Sequence, residues 1–441
     1  MSTLLIRNGR LIDPANNIDA ERDLLLRDGR VAAVEPAGVL DDYEVAESID
    51  AAGMIVAPGL IDMHVHLREP GQSYKETIAS GTAAAAVGGF TSVVAMPNTV
   101  PVNGSAATLE WMLDAARGAR VKLFAMAAAT KDSQGTELTD FAALRRAGAV
   151  GFTDDGKPVL EERIMRAALI AAARAGVPLS QHAEDTRISA GGCMNAGAVA
   201  FRLGLRGIPV AAESLIVERD IQLLREIETS EGLHPHLHVQ HVSTARALET
   251  IRAAKQEGLH VTCEVTPHHF TLTDEAVGDY DTHAKMSPPL RAEADRLALI
   301  AGLVDGTVDC IATDHAPHAA YEKEVEFDRA ANGITGLETA LGLALGVLHQ
   351  QHGLSLGRVV ELMSAGPASI LALSGRGSLG LGHVADVVLF DVDARWQFKA
   401  ADSLSRSRNT PFDGATMVGR ISATLCEGRI IYRDSPHLQE K

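Results

Sequence analysis

Two histidines, His64 and His66, stand at the end of the apolar run 54–65. Residues at i and i+2 of a strand project to the same side, so both imidazoles can reach one metal ion. An HxH pair alone carries little weight, but five further runs of the same kind also end in polar groups. Asn98 follows 91–96, Asp154-Asp155 follow 150–153, His182 follows 178–181, His241 closes 237–241 and Asp314 follows 308–313. Neutral imidazoles and carboxylates without a thiolate cluster suit zinc or a similar borderline divalent ion. His64, His66, Asp155, His182, His241 and Asp314 together exceed what one four-coordinate ion needs, which points to two metals sharing a bridging group. Such a centre lowers the pKa of a shared solvent molecule and supplies hydroxide near neutral pH, while one ion polarises a scissile carbonyl.

Plainer readings stand beside these. Asp154-Asp155-Gly156 has the composition of a simple turn, either aspartate could face the ions, and His182 and His241 could close the edge of a core. His234, His236 and His238 alternate as a surface run would, His268-His269 follow Pro267 in an expected loop, and His260 and His283 have no evident partner. His315, beside Asp314, is expected to support a ligand and not to be one.

These residues need a frame that brings strand ends together. Short apolar runs at 54–65, 91–96, 121–127, 150–153, 178–181, 237–241, 260–265 and 308–313 alternate with longer amphipathic stretches. Eight strands separated by helices is the count of a closed (β/α)8 barrel, whose chemistry sits at the carboxyl ends of its strands. A doubly wound open sheet should carry a Gly-rich phosphate turn after its first strand; here Gly88-Gly89 instead precedes a strand, where a helix is expected to end. Both chain ends read as β structure, with Asn8-Gly9 and Asp28-Gly29 suggesting hairpin turns and 386–390 and 425–432 as later strands. The expectation is an α/β protein: 1–55 and 376–441 together form a small β-sandwich domain, and 56–375 form the catalytic barrel.

The chain has 441 residues, enough to bury a large core, and a formal charge of −17. That charge argues against nucleic acid or an anionic membrane as the main partner, and an anionic small substrate would need locally placed cations. Four scattered cysteines without a CxxC pair suggest free thiols in a reducing compartment. The opening MSTLLIRNGRLID lacks the pattern of a secretory signal, and no apolar stretch is long enough to span a bilayer, so a cytoplasmic location is expected.

DMHVHLREPG at 62–71, MPNT at 96–99, FTDDG at 152–156, QHVST at 240–244 and ATDHAPH at 312–318 occur in an order that resembles the amidohydrolase superfamily, and within it the dihydroorotases of the bacterial long-chain type. The segments 192–213 and 333–339 share the resemblance, which covers nearly the whole chain. It implies that His64, His66 and Asp314 bind one Zn2+, that His182 and His241 bind a second, and that Asp155 bridges them. It further implies that Arg68, Asn98 and His318 grip a substrate carboxylate, a role suited to a guanidinium fork. The implied reaction is the reversible interconversion of N-carbamoyl-L-aspartate and L-dihydroorotate in pyrimidine synthesis, with metal-bound hydroxide as nucleophile and Asp314 as acid and base. A homodimer, with possible association with aspartate transcarbamoylase, is implied as well.

Two segments depart from the family's pattern. Ser287 stands in KMSPPLR where asparagine is common, and a hydroxyl cannot supply an amide's paired functions at the substrate. Ala330-Ala331 stand where a proline and an aromatic residue are usual, so the loop there is expected to differ. Hydantoinases and allantoinases share the HxH opening but carry a lysine near the end of strand four, absent from 151–155. The complete metal set also separates the chain from metal-free, non-catalytic dihydroorotase-like subunits.

Overall fold

The computed structural model describes residues 3–434. Residues 1–2 and 435–441, at the outer ends of the two expected terminal segments, lie outside the described residues.

The middle of the chain closes into a (β/α)8 barrel. Parallel strands Leu60–Val65, Phe90–Ala95 and Lys122–Ala125 pair in sequence, as do Leu179–Gln181, Leu237–Val239, Val261–Val265 and Cys310–Ile311. The fourth expected strand, 150–153, takes its place between the third and the fifth: the Val150 and Thr153 amides donate to the Ala125 and Ala127 carbonyls at 3.1 and 3.0 Å, the Ser180 amide donates to the Phe152 carbonyl at 2.8 Å, and Phe152 bridges Ala127 on one side and Leu179 on the other. Gly151 lets it pack closely there: a Cβ at that position would lie 2.6 Å from the Met126 sulfur. A parallel bridge between Val65 and His315, with His66 N–H donating to the His315 carbonyl at 2.9 Å, completes the ring. Intervening helices begin and end on local signals. Thr77 caps the Ser80 amide at the start of Ile78–Val87, and Gly88 and Gly89 end that helix, Gly89 at φ +86°. Four consecutive alanines, 83–86, lie in this helix, where Ala84, Ala85 and Ala86 are buried in the main core.

The two chain ends build one sheet of eight strands, folded as a β-sandwich around its own core. Its order runs Arg429–Arg433, Thr416–Cys426, Val387–Gln397, Ile55–Pro58, Thr3–Asp13, Ile18–Arg27, Arg30–Pro36, with Glu47–Asp50 beside Thr3–Asp13. Alternate residues Leu4 and Ile6, Leu24 and Leu26, Val387 and Leu389, Ala423 and Leu425 fill that core, as a period of two demands. Asp28-Gly29 is the hairpin turn expected of it, both residues having positive φ. Asn8-Gly9 is not a turn: Thr3–Asp13 runs straight through it, and the pair forms a register shift against Ile18–Arg27. A Cβ at Gly9 would lie 2.4 Å from Val56, so close packing, not reversal of the chain, accounts for that glycine. The expected run 54–65 is two strands broken at Gly59, the first paired with Val387–Phe390 in the sandwich and the second opening the barrel. We accordingly propose Gly59, in place of residue 55, as the first crossing between domains.

All four cysteines are free and buried. Among the described residues, no helix is long and apolar enough to cross a membrane.

Candidate metal centre

The barrel gathers His64, His66, Asp155, His182, His241 and Asp314 at the carboxyl ends of its strands, and all six are buried. Asp155 stands among the four imidazoles. Its Oδ1 lies 3.4 Å from His64 Nε2, 3.7 Å from His241 Nε2 and 3.9 Å from His182 Nδ1, while Oδ2 lies 3.4 Å from His66 Nε2. Asp314 Oδ1 lies 3.0 Å from His66 Nε2 and 3.4 Å from His64 Nε2. Asp154 points away and accepts hydrogen bonds from the amide and hydroxyl of Thr130. Two overlapping groups, His64 with His66 and Asp314, and His64 with Asp155 and His241, present ligand atoms close enough to share a cation.

The donor set fits a divalent metal. His64 Nε2 is buried without a hydrogen-bond partner, while the far nitrogens of three rings are held by acceptors. His64 Nδ1 donates to Glu264 at 2.5 Å, His66 Nδ1 to Asn98 Oδ1 at 2.8 Å, and His182 Nε2 to Glu184 at 3.1 Å. Each of these bonds fixes a tautomer with the lone pair of the other nitrogen facing the cluster. Burial pushes the Asp155 carboxyl up, but His64, His241 and His66 around it hold it well below the usual carboxylate range. The same balance, with His64 and His66 as the main partners, lowers Asp314. His64 is raised despite burial, because Glu264, Asp155 and Asp314 surround it. A positive charge is therefore favoured at the middle of the cluster.

Backbone strain concentrates here. Arg68, His241 and Asp314 have φ of +60°, +33° and +46°, a region that costs a residue with a side chain about 1–3 kcal/mol. The loop after Ile311 is pinned by Asp62, which accepts from the Thr313 amide at 3.1 Å and the Thr313 hydroxyl at 2.5 Å.

A cationic corner adjoins the cluster. Arg68 is buried, donates through Nε to the Pro317 carbonyl at 3.2 Å, and approaches His318 Nε2 at 3.4 Å. Lys75 Nζ lies 3.5 Å from His318 Nδ1 and 2.8 Å from Glu322. Burial, then Arg68 and Lys75, push the His318 imidazole down to about 2, so it faces the site neutral. Asn98 reaches the cluster through two bonds, to His66 and, through Nδ2, to Asp155 at 3.3 Å. Ser287 donates to Glu184 at 3.2 Å, whose carboxylate also accepts from His182.

Sequence reasoning passed over several of these partners. Glu264, Glu184 and Lys75 carry no local motif of metal or substrate chemistry. Asn409 accepts from the His318 amide at 2.9 Å and donates to the Ala316 and Gly333 carbonyls, so a residue from the C-terminal segment holds the loop after Asp314. His238 is not on the surface but fully buried between Thr262 and Glu264, and His236 is half-buried, whereas His234 is exposed. His268 and His269 are buried, His269 donating to the Pro288 carbonyl at 3.0 Å. His315 lies against Glu76 at 3.3 Å.

Comparison with known proteins places this geometry. A model described as "Dihydro-orotase-like" matches residues 53–247, and one described as "Amidohydrolase family" matches 217–431. A dihydroorotase from Desulforapulum autotrophicum is 48% identical over 433 residues, 98% of this chain and 99% of the relative. One from Syntrophotalea carbinolica is 49% identical over 431 residues, with the same coverage. Among solved structures, the L-hydantoinase (dihydropyrimidinase) of Arthrobacter aurescens superposes with a TM-score of 0.87 at 27% identity, covering 100% of this chain and 98% of its own. The dihydropyrimidinase of Brevibacillus agri, at 23% identity and a TM-score of 0.84 over 98% and 95% of the two chains, shares the fold.

Proposed function

We propose, for a chain that belongs to the dihydroorotase family of the amidohydrolases, that its buried centre interconverts L-dihydroorotate and N-carbamoyl-L-aspartate with water. It is a metal-dependent hydrolase of cyclic amides, and its clusters of histidine and carboxylate suit a divalent ion. The finer assignment is two Zn2+ per chain: His64, His66 and Asp314 toward one, His182 and His241 toward the other, and Asp155 shared. Metal in this place acidifies water and polarises the ring amide carbonyl.

The chain's own residues do the rest. Arg68 and neutral His318, with Asn98 beside them, receive the substrate carboxylate and orient the ring, their cationic corner answering a protein that is otherwise strongly acidic. Asp314 accepts the proton of the water as its oxygen attacks the ring carbonyl, then delivers it to the ring nitrogen as the carbonyl–nitrogen bond breaks. In cyclisation the carbamoyl nitrogen attacks the side-chain carboxylate, and Asp314 carries the proton in reverse. Ser287, tied to Glu184 beside His182, offers the substrate one hydroxyl hydrogen bond.

The observation that carries this reading is Asp155 at the centre of four histidines. In hydantoinases and allantoinases a modified lysine is expected there, and here the nearest lysine in the loop, Lys157, is exposed. Metal analysis of the purified protein, coupled to turnover of L-dihydroorotate, a hydantoin and allantoin, tests the assignment. Turnover of L-dihydroorotate with bound metal is expected; turnover confined to the hydantoin, or a modified lysine bridging the ions, would overturn it. A cytoplasmic homodimer, with association with aspartate transcarbamoylase, completes the proposal; size measurement alone and with that enzyme tests it.

A further inference from the structure

A line of hydrogen bonds runs through the inside of the barrel from the metal centre to the opposite pole. His64 Nδ1 meets Glu264 Oε1 at 2.5 Å, and Glu264 Oε2 meets His238 Nε2 at 3.2 Å. His238 Nδ1 meets the Thr262 hydroxyl at 2.9 Å, and that hydroxyl meets His236 Nε2 at 2.7 Å. His236 stacks on His260, with ring centroids 3.9 Å apart and planes 12° from parallel. His236, Thr262 and His260 line a cleft of about 460 Å³ at the amino-terminal ends of the strands, the pole away from His241.

The sheet register builds this line. His238 and Thr262 are partners across neighbouring strands, so residues two apart, His236 with His238 and Thr262 with Glu264, share one face. The alternate residues Leu237, Val239, Cys263 and Val265 pack into the main core outside. Glu264 reaches His64 past the intervening strand Cys310–Ile311, a contact made only across the barrel interior. Barrel interiors are ordinarily filled by branched apolar side chains, so a polar column at this depth needs a reason.

Its proton directions supply one. Glu264 stands between two imidazoles and accepts from each, from His64 Nδ1 on Oε1 and from His238 Nε2 on Oε2. His64 then carries its proton on Nδ1 and His238 on Nε2. The remaining His238 nitrogen accepts from the Thr262 hydroxyl, whose oxygen accepts from His236. Each link holds one hydrogen, and His64 Nε2, the end of the line that faces the metal cluster, is left without a hydrogen-bond partner.

We infer that His238, Thr262 and His236 are positioning residues for the metal centre: they hold the Glu264 carboxyl group aimed, and through it keep the His64 Nε2 lone pair turned to the ion. The inference rests on the metal-centre reading, and it assigns a metal-tuning role to residues at the pole opposite the reaction. Carboxylates behind a ligating histidine raise ligand basicity, and their loss costs about 10–100-fold in metal affinity.

The test measures Zn2+ binding by competition with a chelator, and Co2+ binding by its absorption spectrum, for the wild type and for His238→Leu, His238→Gln and Thr262→Val. Thermal melting of the metal-free proteins reports folding separately. The His238→Leu variant should bind Zn2+ about 10–100-fold more weakly and shift the Co2+ spectrum, and His238→Gln, whose amide can still donate to Glu264, should recover most of the affinity. Thr262→Val, at a half-buried position, should give a smaller loss in the same direction and keeps the test open if His238→Leu fails to fold. Wild-type affinity in a folded His238→Leu or, failing that, in Thr262→Val would overturn the inference while leaving the metal centre standing. Absence of tight metal binding in the wild type would instead defeat the metal-centre reading, and this inference with it.

Discussion

Asn98 Oδ1 lies 2.8 Å from Nδ1 of His66, and the same amide places Nδ2 3.3 Å from the Asp155 carboxylate. A residue expected to grip substrate thus also touches two expected metal ligands. Its oxygen can accept from the ring only while Nδ1 of His66 carries a hydrogen, so in the neutral ring the amide sets the tautomer that leaves Nε2 free.

Replacing Asn98 by alanine should therefore weaken zinc as well as substrate. A fall in metal affinity of about 10–100-fold is expected from chelator competition, alongside a raised KM. A raised KM with unchanged metal affinity would confine Asn98 to the substrate.

Asp314 separates binding from proton transfer. Asp314→Asn keeps one oxygen toward His66 and the shape of the loop that Asp62 pins, so folding and part of the metal should survive. Turnover should drop by about 10²–10⁴-fold, the usual worth of a placed acid and base. Near-normal turnover by folded, metal-loaded D314N protein would remove Asp314 from the proton path.

Arg68 offers a different dissection. Arg68→Lys retains charge but loses the fork that contacts the Pro317 carbonyl and His318. KM for the carboxylated substrate should rise about tenfold or more, with metal content unchanged, since loss of hydrogen bonds to a charged group costs about 1.5–3 kcal/mol. Equal kinetics for L-dihydroorotate and an analogue without the carboxylate would count against this corner as its receptor.

Lys323 gives a pH signature away from the metals. Its ammonium is fully buried and donates to the carbonyls of Ala331 at 2.8 Å and Gly333 at 3.2 Å, and burial, with Lys285 nearby, pushes it down to about 7 from an ordinary 10.5. Between those values the unfolded chain holds the extra proton, so stability rises with pH across this window, and the cost is greatest below about 7. Denaturant titrations should show a slope of up to about 1.4 kcal/mol per pH unit in the wild type that is missing in Lys323→Met. Parallel curves for the two proteins would reject the assignment.

Much of the frame was legible because it is written in local periodicity. Apolar runs of strand length alternating with amphipathic stretches give a barrel, and polar residues just past those runs fall on one rim. The Asp28-Gly29 hairpin followed from backbone preference alone. Asn8-Gly9 misled because the same dipeptide that favours a turn also suits a bulge packed against Val56, and only the neighbouring strand distinguishes the two.

The metal-type residues themselves were evident from type and position. Which of Asp154 and Asp155 turns inward was not, since both follow the same strand and the choice is made by Thr130, 24 residues away, which takes up Asp154. Glu264 is 200 residues from His64, and Asn409 is 91 from His318; no spacing rule links such pairs. The sequence by itself determined the chemistry on offer and the repeat that presents it. Tertiary structure decided which buried nitrogen each carboxylate or amide holds, because those partners meet only when the barrel closes and desolvation leaves every polar group in need of one.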